Sequence, residues 1–165
     1  ITTRLVGSEM CIRDSIHAYV FGEHGDTSFI PWSGAYVSGV SLDEYYETVE
    51  KMGRNVTKID KDAMLEYVRT SGGQVIANKG ATFYAVSVAV CKLVATILSS
   101  SDSVATVSSM MHGEYGIEDV CLSTLTLVGP KGVQGKIPMR MTKEEVEKLK
   151  ASADALKAVI AQIEH

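Results

Sequence analysis

The spacing of apolar and polar residues predicts an extended segment near the start of the chain. Residues 16–22 alternate and are rich in β-branched and aromatic side chains, which is typical of a strand, and the strand is expected to end at Gly22. Residues 27–38 predict a helix that is irregular at Pro31, because proline lacks the backbone donor that a helix uses.

Helical spacing dominates the middle of the chain. Residues 41–52 predict a short helix, since Ser41 and Glu44 have the spacing of a capping box. Residues 60–80 predict a second helix, which is expected to end at the glycine. A third, over 81–98, is apolar on almost every side and is therefore expected to lie buried at the centre of the domain.

The C-terminal part predicts a β meander followed by one more helix. Residues 104–111 and 119–128 are expected to pair as strands, and 133–139 could add a third strand after a glycine-rich turn. The last helix is expected to open at Thr142, with Glu145 at the capping-box position. Its predicted buried stripe consists of Val146, Leu149, Ala153, Leu156, Ile160 and Ile163.

This order of elements predicts one α+β domain, in which antiparallel strands pack with a long central buried helix and a C-terminal helix. The 165 residues, 45% of them hydrophobic, are enough for one domain with a core. The net charge of −4, without a basic cluster, argues against nucleic acid and anionic membranes as partners. Three widely spaced cysteines suggest neither disulfides nor a metal site, and no signal peptide or membrane span is evident, so a cytoplasmic location is expected.

The turn GEHGD, residues 22–26, is the first candidate for chemistry. His24 follows a predicted strand end and stands between two glycines, and such loops often carry functional groups. Histidine can gain or lose a proton near neutral pH. From the pattern alone, a turn histidine capped by Glu23 or Asp26 is the simpler interpretation.

Three longer stretches of the sequence favour a functional role for His24 over that simpler interpretation. HAYVFGEHGDTSFIPWS, NKGATFYAVSVAV and SVATVSSMMHGEYGIEDVCLS together resemble the catalytic half of the bacterial L-lactate dehydrogenases, which belong to the lactate/malate dehydrogenase family. The resemblance runs from about Ile16 to the C-terminus. It implies an enzyme that reduces pyruvate to L-lactate with NADH, and a homo-oligomer, either a tetramer or a dimer. A related enzyme for malate or another L-2-hydroxy acid is the nearest alternative.

By that resemblance His24 is the catalytic acid and base. Hydride transfer to the keto carbon of pyruvate leaves an alkoxide, and a protonated imidazole within hydrogen-bond reach neutralises the alkoxide as it forms. The family also uses an aspartate that orients this histidine and an arginine that binds the substrate carboxylate. Neither residue has a counterpart in the matching region.

The resemblance implies roles for two residues at the start of the apolar helix. Thr82 corresponds to a threonine that lines the substrate pocket, although an early helix residue that bonds to backbone is the simpler interpretation. Val86, one turn later, corresponds to an apolar residue near the nicotinamide of NAD, and by itself would be assigned to the core.

His17 lies seven residues before His24, where many bacterial members have a histidine that helps to bind fructose 1,6-bisphosphate. The resemblance therefore implies that this activator binds at a subunit interface. The alternative is a strand histidine that faces solvent. The arginine that would share the ligand's phosphates has no counterpart here.

Two features indicate that part of the parent enzyme is missing. No G-x-G-x-x-G motif of a dinucleotide-binding domain occurs in the chain. Residues 5–15, LVGSEMCIRDS, fit neither strand nor helix periodicity and match the translation of a transposase sequencing adapter. We therefore expect residues 1–15 to be foreign, residues 16–165 to be the C-terminal catalytic domain, and the N-terminal NAD-binding Rossmann domain to be absent.

Such a fragment is expected to be inactive by itself. It could also act as a non-catalytic interaction fragment, because surfaces that once met the lost domain would be left exposed and apolar.

Overall fold

The computed structural model describes residues 15–163, so most of the expected foreign segment lies outside the described residues. A small antiparallel sheet comes first, with strands β1 (Ile16–His17), β2 (Tyr36–Val37) and β3 (Val40–Ser41) in that spatial order. The strand predicted over 16–22 is therefore short. Beyond its first two residues, only isolated bridges at Phe21 and Gly22 continue the extended backbone.

The helix predicted over 27–38 is wrong. Phe29 pairs with Phe21 through two backbone hydrogen bonds of 2.9 and 3.0 Å, and only the short 3₁₀ turn Trp32–Gly34 is helical. Ala35 and Val37 are buried while Tyr36 between them is exposed, which is the period of a strand. Pro31 cannot donate a helical hydrogen bond, and the residues after it alternate between buried and exposed, so this segment is extended rather than helical.

The two helices that follow have the predicted ends. Helix α1 (Leu42–Lys51) begins with the Ser41 capping box, and helix α2 (Lys61–Lys79) begins with Asp60, whose carboxylate accepts from two backbone N–H groups. Gly80 ends α2 in the left-handed conformation, at φ +78°. The capping box predicted for α1 and the glycine end predicted for α2 are therefore both confirmed.

Helix α3 (Tyr84–Leu98) forms as predicted, but its expected burial is not found. None of its residues is buried, and most of its large apolar side chains are more than two-fifths exposed. The helix contacts strand β5 (Glu118–Gly129). Apolarity on every side indicated that the helix would be covered, and the described residues do not supply the cover.

The predicted meander is confirmed. Strand β4 (Ser103–His112) pairs antiparallel with β5, which pairs with β6 (Gly132–Lys136), and a bulge lies between Met110 and His112. No helix within residues 15–163 is long and apolar enough to cross a membrane.

The last helix, α4 (Lys143–Ile163), begins at the predicted capping box and packs on β5. Leu149 and Ala153 of its predicted stripe lie in the main core, whereas Ile160 and Ile163 near its end are exposed. The other members of this core cluster are Phe21, Phe29, Met111, Ile117, Val120, Leu122 and Leu125. The α+β domain with antiparallel sheets and a C-terminal helix is thus as predicted.

Candidate functional site

The turn that carries His24 is tied to β5. Gly22 and Ser123 exchange two backbone hydrogen bonds, of 3.1 and 2.9 Å, so the turn starts beside β5, the central strand of the main sheet. Gly22 has φ +98°, a conformation that other residues adopt rarely. The glycine thus lets the chain turn sharply away from β5, and His24 follows two residues later.

Inside the turn, side chains hold the backbone on both sides of His24. The carboxylate oxygen Oε1 of Glu23 accepts from the Thr27 backbone N–H at 3.1 Å and from the Thr27 hydroxyl at 2.6 Å. Ser152, which is fully buried on α4, accepts from the Glu23 backbone N–H at 2.8 Å. Ser28 N–H also donates to the Gly25 carbonyl.

Helix α2 fastens the far end of the turn. The guanidinium of Arg69 donates to the Ser28 carbonyl through Nε at 3.0 Å and through a second nitrogen at 2.5 Å. A forked donor on one carbonyl fixes both position and direction. The turn is therefore held by strand β5 and by two helices.

His24 itself lies at the exposed tip of this rigid turn. Among residues 15–163, no hydrogen bond or ion pair connects its imidazole to another side chain. Neither Glu23 nor Asp26 bonds to the imidazole, so the simpler interpretation of His24 as a capped turn histidine is not found among the described residues. Hydrogen bonds thus hold the backbone on both sides of His24, and both nitrogens of its ring are accessible to a ligand.

The other predicted residues lie on the same scaffold or apart from it. Thr82 is exposed two residues before α3, and Val86 is 56% exposed in the first turn of α3. Strand β5 contacts α3, the helix that contains Val86, and also pairs with Gly22 at the start of the His24 turn. Within residues 15–163, no hydrogen bond joins the Thr82 hydroxyl to His24.

His17 lies elsewhere, on β1, where it is paired with Tyr36 and exposed. The small sheet packs around a second core cluster, formed by Ile16, Ala35, Val37, Leu42 and Tyr46. His17 is therefore a surface residue of a different sheet from the one that carries the His24 turn. Among residues 15–163, no group of His, Cys, Asp or Glu could hold a metal ion.

A buried carboxylate ties the start of α4 to the Trp32–Gly34 turn. Glu145 accepts from Ser33 N–H at 3.0 Å, from the Ser33 hydroxyl at 2.5 Å and from Thr142 N–H at 2.9 Å. Burial would raise the pKa of Glu145, but these hydrogen bonds stabilise the anion and together hold its pKa below the ordinary value.

Sequence reasoning missed Ser152 and Arg69 as supports of the turn. Ser152 had a signal that could have been used, since it is a polar residue directly beside the predicted buried stripe of α4. Arg69 had none, because a single arginine on a helix usually faces solvent and its partner is a backbone carbonyl far along the chain.

The comparisons with known proteins agree with this architecture. Residues 6–165 match the family described as lactate/malate dehydrogenase, alpha/beta C-terminal domain. The α+β chain therefore belongs to the lactate/malate dehydrogenase family, of which it represents the C-terminal domain. The L-lactate dehydrogenase of Acetivibrio thermocellus is 37% identical over 150 residues, which are 91% of this chain and 46% of that protein. L-lactate dehydrogenase 1 of Lactococcus lactis subsp. cremoris is 40% identical over 146 residues, with 88% and 44% covered.

Solved structures show the same fold. The chain superposes on L-lactate dehydrogenase from Clostridium thermocellum with a TM-score of 0.79 at 34% identity, covering 93% of this chain and 48% of that one. For the minor L-lactate dehydrogenase of Enterococcus mundtii the TM-score is 0.80 at 32% identity, with 92% and 47% covered. The chain thus spans about half the length of the relatives that it matches.

Proposed function

We propose that this chain is the catalytic half of an NAD-dependent L-lactate dehydrogenase, which reduces pyruvate to L-lactate and oxidises NADH. The observation that carries the proposal is His24, an exposed imidazole on a turn held by β5, α2 and α4. Relatives of 35–40% identity that are named L-lactate dehydrogenase support it. The intact enzyme is proposed to be cytoplasmic and homo-oligomeric, as a tetramer or dimer.

The proposal includes a division of the chain at Ile16. Residues 1–15 would be foreign, and residues 16–165 would follow an N-terminal Rossmann domain in the intact protein. The sequence supports this boundary through the adapter match at residues 5–15. The family match begins at residue 6, within that segment, so the boundary stays a prediction.

In this mechanism His24 moves the proton. NADH would supply hydride to the keto carbon of a bound pyruvate. The His24 imidazolium donates a proton to the carbonyl oxygen as negative charge develops there, and neutral His24 takes the proton back in lactate oxidation. A fixed turn lowers the cost of bringing the imidazole into line, because its backbone is already ordered before substrate binds.

Thr82 and Val86 would be the other residues of this chain that contact substrate and cofactor. The exposed Thr82 hydroxyl can donate to a substrate carboxylate or pack beside the small methyl group. Val86 presents an apolar surface that fits against one face of a nicotinamide ring. The chain contains no Gly-rich turn for the pyrophosphate, so these residues fit only the nicotinamide end of NAD.

The proposal is tested by replacing the acid and base in the intact enzyme. The gene is recovered by sequencing upstream of codon 16, and NADH oxidation with pyruvate is followed for the parent and for His24→Asn. We expect kcat to fall by about 10³-fold or more, since proton transfer in the transition state is lost. Binding of NADH, measured by its fluorescence, should not change.

His112→Asn is the matched control, because this histidine is exposed on the sheet and away from the turn. Full activity in His24→Asn would remove the proposed mechanism. A preference for oxaloacetate or for branched 2-keto acids would replace pyruvate as the substrate and leave the role of His24 intact.

We further propose that His17 contributes to a site for fructose 1,6-bisphosphate in the assembled enzyme. Its imidazole is exposed on β1 and free to donate to a phosphate. At low pyruvate the activator should lower KM for the parent enzyme and have at least tenfold weaker potency for His17→Asn. Identical activation of both proteins, or no activation of the parent, would contradict this part of the proposal.

A further inference from the structure

Helix α4 places one polar side chain in the main core, directly against the His24 turn. Ser152 is fully buried between the core residues Leu149 and Ala153. A buried hydroxyl is costly unless it is hydrogen-bonded, so its partners indicate what it does there. Those partners are Glu23 and Thr27, the residues on either side of the loop tip.

The three residues form a closed ring of hydrogen bonds. Glu23 N–H donates to Ser152 Oγ at 2.8 Å, and Thr27 Oγ1 lies 2.9 Å from Ser152 Oγ and 2.6 Å from Glu23 Oε1. The Thr27 hydroxyl is placed to donate to Ser152 Oγ and to the Glu23 carboxylate, and the shorter, charge-assisted contact with the carboxylate is the stronger of the two. Ser152 Oγ accepts from the Glu23 backbone N–H and faces the Thr27 hydroxyl, so Ser152 and Thr27 together hold Glu23 by its backbone and by its side chain.

Helix α4 approaches the turn so closely at Gly22 that a larger residue would not fit there. A Cβ atom at Gly22 would lie 2.7 Å from Ser152 Oγ and 3.3 Å from Ser152 Cβ. The glycine therefore makes room for the serine as well as adopting a positive φ. Both Gly22 and Ser152 are thus needed for this close contact, which lies two residues before His24 on the backbone.

We propose that Ser152 is a positioning residue for His24: it fixes the Gly22–Glu23 peptide, at the start of the turn, and so aims the imidazole of the next residue at the substrate. The inference rests on the proposed function, because it needs His24 to be the acid and base. Ser152 would not touch the substrate. Its effect would reach the reaction through the Glu23 N–H and through the Thr27 contact that closes the turn.

Ser152→Ala in the intact enzyme tests the inference. The substitution keeps the helix and removes the acceptor of Glu23 N–H. We expect kcat to fall about 10- to 100-fold, since small misplacements of a reacting group have effects of this size. KM for pyruvate should stay within about twofold, and the pH profile should keep its shape, because the binding groups and the titrating group remain.

Hydrogen exchange supplies a second readout that does not need activity. In the chain of 165 residues the Glu23 amide should exchange slowly, and it should exchange at least tenfold faster in Ser152→Ala. Ser71→Ala is the matched control, because the Ser71 hydroxyl is also on a helix and bonds only to the carbonyl of Val68 in its own helix. It should change neither kcat nor exchange at Glu23.

Variants of Thr27 test the same contact if Ser152→Ala fails to fold. Thr27→Ser retains the hydroxyl and should keep kcat within about threefold, whereas Thr27→Val should show the loss expected for Ser152→Ala. Normal kcat in Ser152→Ala, or equal losses in Thr27→Ser and Thr27→Val, would overturn the inference. An inactive His24→Asn beside a fully active Ser152→Ala would refute the positioning role alone, while an active His24→Asn would refute the proposed function itself.

Discussion

At the scale of single residues, the buried Glu145 shows how one side chain can hold two distant segments together. Its carboxylate accepts hydrogen bonds from Ser33, in the Trp32–Gly34 turn, and from Thr142, at the start of α4. The sequence predicted the Thr142 capping box and could not predict Ser33, because Ser33 is 112 residues away along the chain. The cap of α4 is thereby also a tertiary contact.

The stability of the chain should therefore depend on pH through Glu145. Because its folded pKa lies below the ordinary value, the stabilisation is complete above the unfolded pKa, near 4.5, and is lost as pH falls through the folded pKa. Glu145→Gln replaces an acceptor oxygen with a donor. We expect it to lower the free energy of unfolding by about 2 kcal/mol near pH 7, as is typical of hydrogen bonds to charged groups.

Urea unfolding of both proteins between pH 7 and 3 measures this effect. The difference between parent and Glu145→Gln should shrink as pH falls below about 4.5. Glu144→Gln, at the exposed neighbouring position, should change stability little at any pH in the range. A difference that does not vary with pH would show that the Glu145 charge does not stabilise the fold.

At the scale of elements, helix ends were easier to predict than the conformation of short apolar segments. The caps of α1, α2 and α4 depend on side chains within three residues of each other, and this chemistry is visible in the sequence. Residues 27–38 lack such a cap. Phe29 pairs with Phe21 across the turn, a contact that periodicity within the segment does not reveal.

In the candidate site, too, local features could be predicted from the sequence and contacts between distant segments could not. The motif at residues 22–26 and its resemblance to the family predicted His24, and the glycine conformation at Gly22 follows from the turn. The partners of Arg69 and Ser152 lie far along the chain, so their contacts with the turn are visible only in the folded structure, although the position of Ser152 beside the predicted buried stripe was a signal in the sequence. Sequence thus identified the proposed reacting group, and the fold identified what holds it.

At the scale of the whole molecule, the chain leaves a large apolar surface uncovered. Tyr84, Val86, Val88, Val90, Val94 and Leu98 of α3 are all exposed. Monomeric proteins rarely show an apolar patch that continues along a whole helix. Since the chain spans about half the length of its relatives, this helix is where we expect the isolated chain to associate with other protein, including copies of itself.

Sedimentation of the isolated chain at increasing concentration tests that expectation. If copies associate through α3, Val90→Ser should weaken association about fivefold, because each lost valine contact is worth about 1 kcal/mol. Val133→Ser on β6 is the matched control, since Val133 is 54% exposed and Val90 is 53% exposed. A chain that stays monomeric at every concentration would contradict the expectation. If both substitutions weaken association equally, the copies do not associate specifically through α3. The apolar surface of α3 would then not be a binding surface.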